Sequence, residues 1–326
     1  MTSQGPVISG SGTSSSFGIS SYACTRTAFM VINLSSTLTG SCIVNVRRAN
    51  VSCNTFFAAY GGGVTDPGIT ARLRAAGCVF ADEEAGLLVA RAGGDPEVVE
   101  EGVARRIAGE PLEYILGWVE FDGSRVGIEP GVFIPRRRTG LLVDVVAGHV
   151  AGSRQGRTPV VVDLACGSGA IGLAVARRVP GIELHATDVD EAAVACAARN
   201  LANVGGRAHL GDMYDPLPGD LRGRVDAIAA NMPYVPRDRL DYMPAESRRF
   251  EPVWTVDGGR DGLDLVRAAA AGAGRWLGPG GILVVETGDE RTGQPREVVA
   301  AFEAAGLVAD VRRDEEMEAT AVVGRS

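Results

Sequence analysis

The 326-residue chain carries 32 arginines against 40 acidic residues, no lysine, three histidines and six cysteines, for a net charge of −8 and an isoelectric point near 5.1. An acidic balance of this size argues against a protein built to coat a nucleic-acid duplex. The cysteines follow no metal or redox spacing, and no apolar run reaches the ~18 residues that span a bilayer, so a soluble, cytoplasmic protein is expected.

Residues 1–63 differ from the rest. They hold no Asp or Glu, three arginines (Arg26, Arg47, Arg48) and nineteen Ser or Thr. Such a segment buries too little apolar surface to offset its ordering entropy. It reads as a disordered extension, or as upstream sequence included by a misplaced start, with Val64 the true beginning. A targeting role, suggested by apolar Ala28 to Leu34 and by Leu38-Thr-Gly-Ser-Cys42, lacks a basic start and an unbroken apolar core.

Residues 64–117 show little strand pattern and three amphipathic helices, Ile69 to Ala76, Asp82 to Ala92 and Pro96 to Ala108. Gly77, Gly93-Gly94 and Gly109 stand at their ends. Leu73, Leu87, Leu88 and Val99 are the expected core of this small helical domain. Phe121-Asp-Gly-Ser-Arg125 then reads as a tight hairpin, in a linking segment over 118–136.

From residue 137 the pattern is alternating strands and helices. Strands are expected at 160–164, 182–187, 207–210, 225–230 and 281–286, with a closing hairpin of Leu307 to Val311 and Ala319 to Val323. This predicts an α/β fold, a doubly wound parallel sheet whose ligands bind outside the strands' carboxyl ends. Small residues Ala165-Cys-Gly-Ser-Gly169 follow the first strand and let a ligand approach the backbone. Gly167-x-Gly169-x-x-Gly172 satisfies a dinucleotide fingerprint, and the same stretch suits a methyltransferase turn in which Asp163 precedes the glycines. Asp188 ends the second strand, placed for ribose hydroxyls, while Asp190 is better placed to cap the next helix. Asp212, after the third strand, could take an adenine amino group. The terminal hairpin favours the class I S-adenosylmethionine-dependent methyltransferase form of the sheet over a nicotinamide-binding one.

Asn231-Met232-Pro233-Tyr234 closes the fourth strand. An Asn side-chain oxygen and the following carbonyl can accept both N–H groups of an amide or aromatic amine, and Tyr234 offers a flat face. Such a nitrogen has a delocalised lone pair. Two fixed acceptors would strengthen their bonds as positive charge grows on it, which favours the transition state.

Taken together, these motifs resemble the protein-(glutamine-N5) methyltransferase family, whose members modify the Gly-Gly-Gln tip of peptide chain release factors. The likeness runs from about Thr65 to the end. It includes Pro111-Leu-Glu-Tyr-Ile-Leu-Gly117, Phe121-Asp-Gly, Pro130-Gly-Val-Phe-Ile-Pro-Arg136, Thr139, Glu251-Pro252 and Asp257-Gly-Gly-Arg-Asp-Gly-Leu263. The resemblance implies S-adenosylmethionine as cofactor, held by Asp163, Ala165, Gly167, Gly169, Asp188, Asp212, Met213 and Asn231. It implies that Asn231, Met232, Pro233 and Tyr234 perform the transfer, with Arg136, Thr139, Asn231 and Tyr234 on the substrate, and that the helical domain helps recognise a protein partner.

The departures are specific. Met232 replaces the family's first proline, keeping the carbonyl but giving up a fixed φ, which implies a looser turn. Ala165 replaces a glycine, tolerable at a non-positive φ. Arg138 and Gly140 replace acidic residues, so Arg136 to Arg138 would be a surface for an acidic partner or a solvated helix start. Glu286 is read as structural, and Asp257 to Asp261 as a cap for a helix near Leu263. Two other classes stay open: an RNA or DNA amino methyltransferase, since the acceptor turn also suits an exocyclic base amine, and a nucleotide-binding module without turnover. Oligomeric state is not set by the sequence.

Overall fold

The computed structural model describes residues 33–36, 42–45, 66–152, 156–243 and 245–326. Two compact units divide at residues 63 and 64. In the first, β1 (Asn33–Ser36) pairs antiparallel with β2 (Cys42–Asn45). The expected disordered or mis-included extension over 1–63, and the targeting alternative, otherwise lie outside the described residues.

The second unit opens with α1 (Pro67–Ala75), α2 (Ala81–Ala92), α3 (Pro96–Ile107) and α4 (Leu112–Leu116). Local chemistry sets two of these starts. Asp66 accepts from the Gly68 N–H and Asp95 from the Glu97 and Val98 N–H, each followed by a proline that needs no partner in a first turn. Leu73, Ala85, Leu88, Val103 and Ile115 fill a core between them. Leu73 and Leu88 are buried as expected, while Leu87 and Val99 are half-buried. The short α4 was not foreseen.

The linking hairpin is β3 (Trp118–Phe121) with β4 (Ser124–Gly127). Its turn residues, Asp122 and Gly123, have φ of 50° and 70°, the mirror-image geometry that matches strand twist. The chain then enters α5 (Gly140–Gly152).

The sheet contains β5 (Val160–Leu164), β6 (Glu183–Asp188), β7 (Arg207–Leu210), β8 (Val225–Ala230), β9 (Leu277–Thr287), β10 (Val308–Asp314) and β11 (Ala319–Arg325). Their order is β10-β11-β9-β8-β5-β6-β7, parallel except for β11, which lies antiparallel to both neighbours. Every residue of β5 and β8 is buried, as strands covered on both faces must be. Alternate residues feed two cores: Val161, Ala227 and Val284 on one side, Val162, Ile228 and Leu283 on the other. β9 begins at Leu277, earlier than the expected residue 281, and continues across an irregular register between Val225 and Ala227.

Chain order reverses between β5 and β8: β6 and β7 build outward from one, β9 from the other. That reversal opens a crevice at the strands' carboxyl ends, with the loop of Ala165 to Gly169 on one side and Asn231 on the other. Among the described residues, no helix is long and apolar enough to cross a membrane.

Candidate active site

The loop after β5 is shaped by backbone strain and close packing. Ala165 has φ 52°, so the residue sits in the left-handed region that its usual glycine would occupy freely, and the expectation of a non-positive φ is corrected. Gly167 and Gly169 have φ 53° and 73°. A Cβ on Gly169 would come within 3.1 Å of Ala197, which makes this glycine a packing requirement between α6 (Ala170–Arg178) and α7 (Glu191–Leu201).

A cleft opens over this loop. Ala165, Gly167, Asp188, Asp212, Met213 and Asn231 line it. Asp188 Oδ2 accepts the Gly167 N–H at 2.8 Å and Oδ1 accepts the Asp190 N–H at 3.0 Å, leaving one lone pair on each oxygen for a diol. Burial pushes its carboxyl up, and the N–H groups of Asp190 and Gly167 pull it back. Asp190 caps α7, accepting from Ala192 N at 2.9 Å. Phe133, Ile171 and Leu265 give the cleft apolar walls, Trp254 also lines it, and Ser168 and Thr187 turn buried hydroxyl oxygens without a protein partner into its surroundings. Two acidic positions, glycine backbone and apolar walls suit a ribose, an adenine and a methionine chain, so the residues fit S-adenosylmethionine. Cys166 lines the cleft as well, but burial raises its thiol far above the ordinary range, which leaves it a poor nucleophile.

Two expected cofactor residues lie elsewhere. Gly169 faces the helix packing just described. Asp163 is fully buried beneath the loop, with Oδ2 accepting the Gly172 N–H at 2.8 Å and Oδ1 without a protein partner. Its carboxyl is pushed up to about 7, by burial first, against the pull of the Gly172 N–H. Because the folded value lies above the unfolded one of about 3.9, the native state holds this proton longer. The contribution to stability is full below about pH 3.9 and is lost as pH rises through about 7, at up to about 1.4 kcal/mol per pH unit. Asp163→Asn cannot titrate. Urea unfolding at pH 5, 6, 7 and 8 should show wild type losing stability relative to the variant over the lower steps, with the difference levelling off above pH 7.

A second cleft adjoins the first, and Phe133, Asn231, Pro233 and Thr255 line both. Arg136, Arg138, Met232, Tyr234 and Glu251 line only the second. Asn231 therefore stands where a cofactor and an acceptor would meet. Its Nδ2 lies 3.1 Å from Thr139 Oγ1, Thr139 Oγ1 donates to Glu286 Oε2 at 2.6 Å, and Arg138 Nε donates to Glu286 Oε1 at 2.8 Å. Tyr234 Oη donates to Glu286 Oε1 at 3.1 Å and receives Arg138 Nη2 at 2.7 Å. Burial, then Glu286, raises the Tyr234 hydroxyl, which keeps it a phenol.

Several expectations change here. Thr139 is 2% exposed and lines the first cleft but not the second, so it supports Asn231 from beneath and is set apart from the Arg136 and Tyr234 side chains expected on a substrate. Arg136 and Arg138 are neither a free basic strip nor a merely solvated start, since they pair with buried Glu251 and Glu286, whereas Arg137 stays exposed, 3.8 Å from an exposed Glu316. Met232 is 1% exposed and belongs to the core with Leu164, Leu263 and Val285. Side-chain packing anchors the turn where the proline ring is missing.

The backbone of that turn is also clamped from outside. Gln294 Nε2 donates to the Tyr234 carbonyl at 2.7 Å, and the Gly258 N–H donates to the Val235 carbonyl at 2.9 Å. A Cβ on Gly258 would lie 2.8 Å from the Pro233 oxygen, and one on Gly262 2.4 Å from the Tyr234 oxygen. The Asp257-to-Gly262 glycines thus let a loop press onto the turn. The helix after it, α8 (Asp264–Ala273), has no side-chain cap. Asp257 and Asp261 instead close the loop itself, accepting from Gly259 N at 2.9 Å and Leu263 N at 3.1 Å.

Glu286 is the site residue that sequence reasoning underrated. Its position at the carboxyl end of a central strand was the available signal.

The chain is similar in sequence to known methyltransferases. The methyltransferase small domain family matches residues 129–246. The release factor glutamine methyltransferase of Streptomyces coelicolor is 40% identical over 196 residues, covering 60% of this chain and 68% of that protein. That of Geobacter sulfurreducens is 38% identical over 210 residues, covering 63% and 69%. The 4-amino-L-phenylalanine/4-methylamino-L-phenylalanine methyltransferase of Streptomyces pristinaespiralis is 37% identical over 206 residues, covering 63% and 69%. Identity of 38–40% over more than two thirds of the length of two such enzymes places the chain in the release factor glutamine methyltransferase family, as an S-adenosylmethionine-dependent methyltransferase.

Proposed function

We propose that the chain methylates the side-chain amide nitrogen of a glutamine in a protein, and that its substrate is the Gly-Gly-Gln loop of a peptide chain release factor. The observation that carries this reading is Asn231 at the wall between the two clefts, with its nitrogen committed to Thr139 and its oxygen left for an acceptor N–H. The Met232 carbonyl, on the same clamped turn, is the second acceptor. When bound, S-adenosylmethionine supplies an electrophilic methyl group. Asn231 and Met232 hold the amide N–H groups, turn the nitrogen lone pair toward the cofactor cleft and accept more strongly as the nitrogen becomes positive. The proton is released after transfer, and Tyr234 serves as a wall of the cleft, with its hydroxyl tied to Glu286.

The pairing of Arg136 and Arg138 with buried acids weighs against a nucleic-acid substrate, which needs free basic groups along a backbone. An arylamine acceptor is the competing reading, because one relative at 37% identity carries that activity in its name. Purified protein, labelled S-adenosylmethionine and a recombinant release factor test the proposal. One methyl on the tip glutamine by mass spectrometry, absent when that glutamine is replaced by alanine, is the expected result. Transfer to 4-amino-L-phenylalanine or to RNA, with none to the factor, would overturn it.

A further inference from the structure

We infer that Thr139 and Glu286 form a one-way hydrogen-bond relay that fixes which face of the Asn231 amide meets the acceptor. An Asn amide can sit in either of two orientations that differ only by exchange of O and N. One presents an acceptor to an incoming NH₂; the other presents a donor and repels it. Something must choose between them.

The choice follows from counting protons. Thr139 is buried, and its hydroxyl has one hydrogen. Glu286 Oε2, 2.6 Å away, is a carboxylate oxygen and can only accept. The hydroxyl therefore donates to Glu286 and has only lone pairs left for Asn231, 3.1 Å away. Asn231 must meet Thr139 with its NH₂, which turns its oxygen the other way.

Glu286 is itself kept from rotating. It is 1% exposed at the end of β9, and its other oxygen receives both Arg138 Nε and Tyr234 Oη. Arg138 thereby gains a role that its surface-like sequence context hides: it anchors the far end of the relay. Thr139 and Glu286 are positioning residues, acting through Asn231.

The inference rests on the glutamine-transfer reading only for the acceptor used in the assay. Thr139→Val removes the hydroxyl at nearly constant volume, and Thr139→Ser restores it. With a Gly-Gly-Gln-bearing factor as acceptor, Thr139→Val should lower kcat by about tenfold or more, a fraction of the 10²–10³ seen on losing a whole transition-state hydrogen bond. Calorimetric affinity for S-adenosylmethionine should stay within about threefold, and Thr139→Ser should recover most of kcat. Glu286→Gln should follow Thr139→Val, because a side chain that can donate no longer dictates the hydroxyl's direction.

A substrate-free arm separates this inference from the reading beneath it. In protein labelled with ¹⁵N-asparagine, the Asn231 side-chain signals are those missing from Asn231→Ala. Their protons should exchange with water about tenfold more slowly in wild type than in Thr139→Val. Equal exchange, full kcat in Thr139→Val, or no recovery by Thr139→Ser would overturn the relay. A wild-type enzyme that leaves the glutamine unmethylated would overturn the substrate reading alone, and the exchange measurement would still decide the relay.

Discussion

Replacing Asn231 with alanine should lower the single-turnover rate of methyl transfer by about 10²–10³, the usual cost of losing one preorganised hydrogen-bond partner that works in the transition state. The prediction is large because the residue's surroundings leave no substitute. Thr139 turns its hydroxyl proton toward Glu286, and the Tyr234 hydroxyl is engaged by Glu286 and Arg138. Water admitted to the space would accept from the amide but would not be fixed there, so the alignment gained by a rigid acceptor is lost with it. Because the cofactor cleft is built mainly from the β5 loop, Asp188 and Asp212, affinity for S-adenosylmethionine should change by no more than about threefold. Rapid-quench transfer assays and calorimetry read the two quantities separately. A variant that keeps its transfer rate would remove Asn231 from the chemistry, and one that loses the cofactor instead would make it a residue of the other cleft.

How far the sequence could be read depended on the range over which each signal acts. Strands at 160–164 and 225–230 were legible to the residue because they are short, largely apolar runs bounded by polar or small residues. The helix starts at Pro67 and Pro96 were legible within about two residues, because each is set by an Asp-Pro pair. The five-residue helix Leu112–Leu116 was not, since a single turn between Pro111 and Gly117 has no periodicity to detect. The site divides in the same way. Asp188, Asp190 and the Ala165-to-Gly169 loop follow from one strand and one turn. The family resemblance placed Asp163 with them, but a strand's side chains alternate between faces, and it lies beneath the loop against Gly172.

What stayed hidden was pairing at long range. Thr139 and Glu286 are 147 positions apart and meet only because α5, which follows Thr139 directly, packs across β8 and β9. The arginine run misled for the same reason. Three adjacent like charges suggest a free surface, yet Arg136 and Arg138 pair with buried Glu251 and Glu286, on separate segments that no local pattern joins. Met232 shows the converse. Its substitution for proline looked like a loosening of the turn, and only burial among Leu164, Leu263 and Val285 shows that packing performs the ring's task.

Asp188→Ala should weaken S-adenosylmethionine binding by about 10² and lower thermal stability as well, and the two effects have different origins. The carboxylate holds the Gly167 and Asp190 N–H groups at 2.8 and 3.0 Å. Alanine strands both donors in a partly buried place, at about 1–3 kcal/mol each where water cannot replace the oxygen. It also removes the acceptors for the ribose hydroxyls, where charge-assisted bonds are roughly twice as strong as neutral ones. Asp188→Asn separates the two. It offers one oxygen to the backbone pair and turns a donor toward the other N–H, so it should lose stability as alanine does while retaining part of the ribose contact. Calorimetry against S-adenosylmethionine and against methionine alone, which has no ribose, completes the comparison: the loss should be confined to the nucleoside-bearing ligand. A loss equal for both ligands would mean that Asp188 acts only by shaping the loop, and the ribose assignment would fall while the loop's architecture stood.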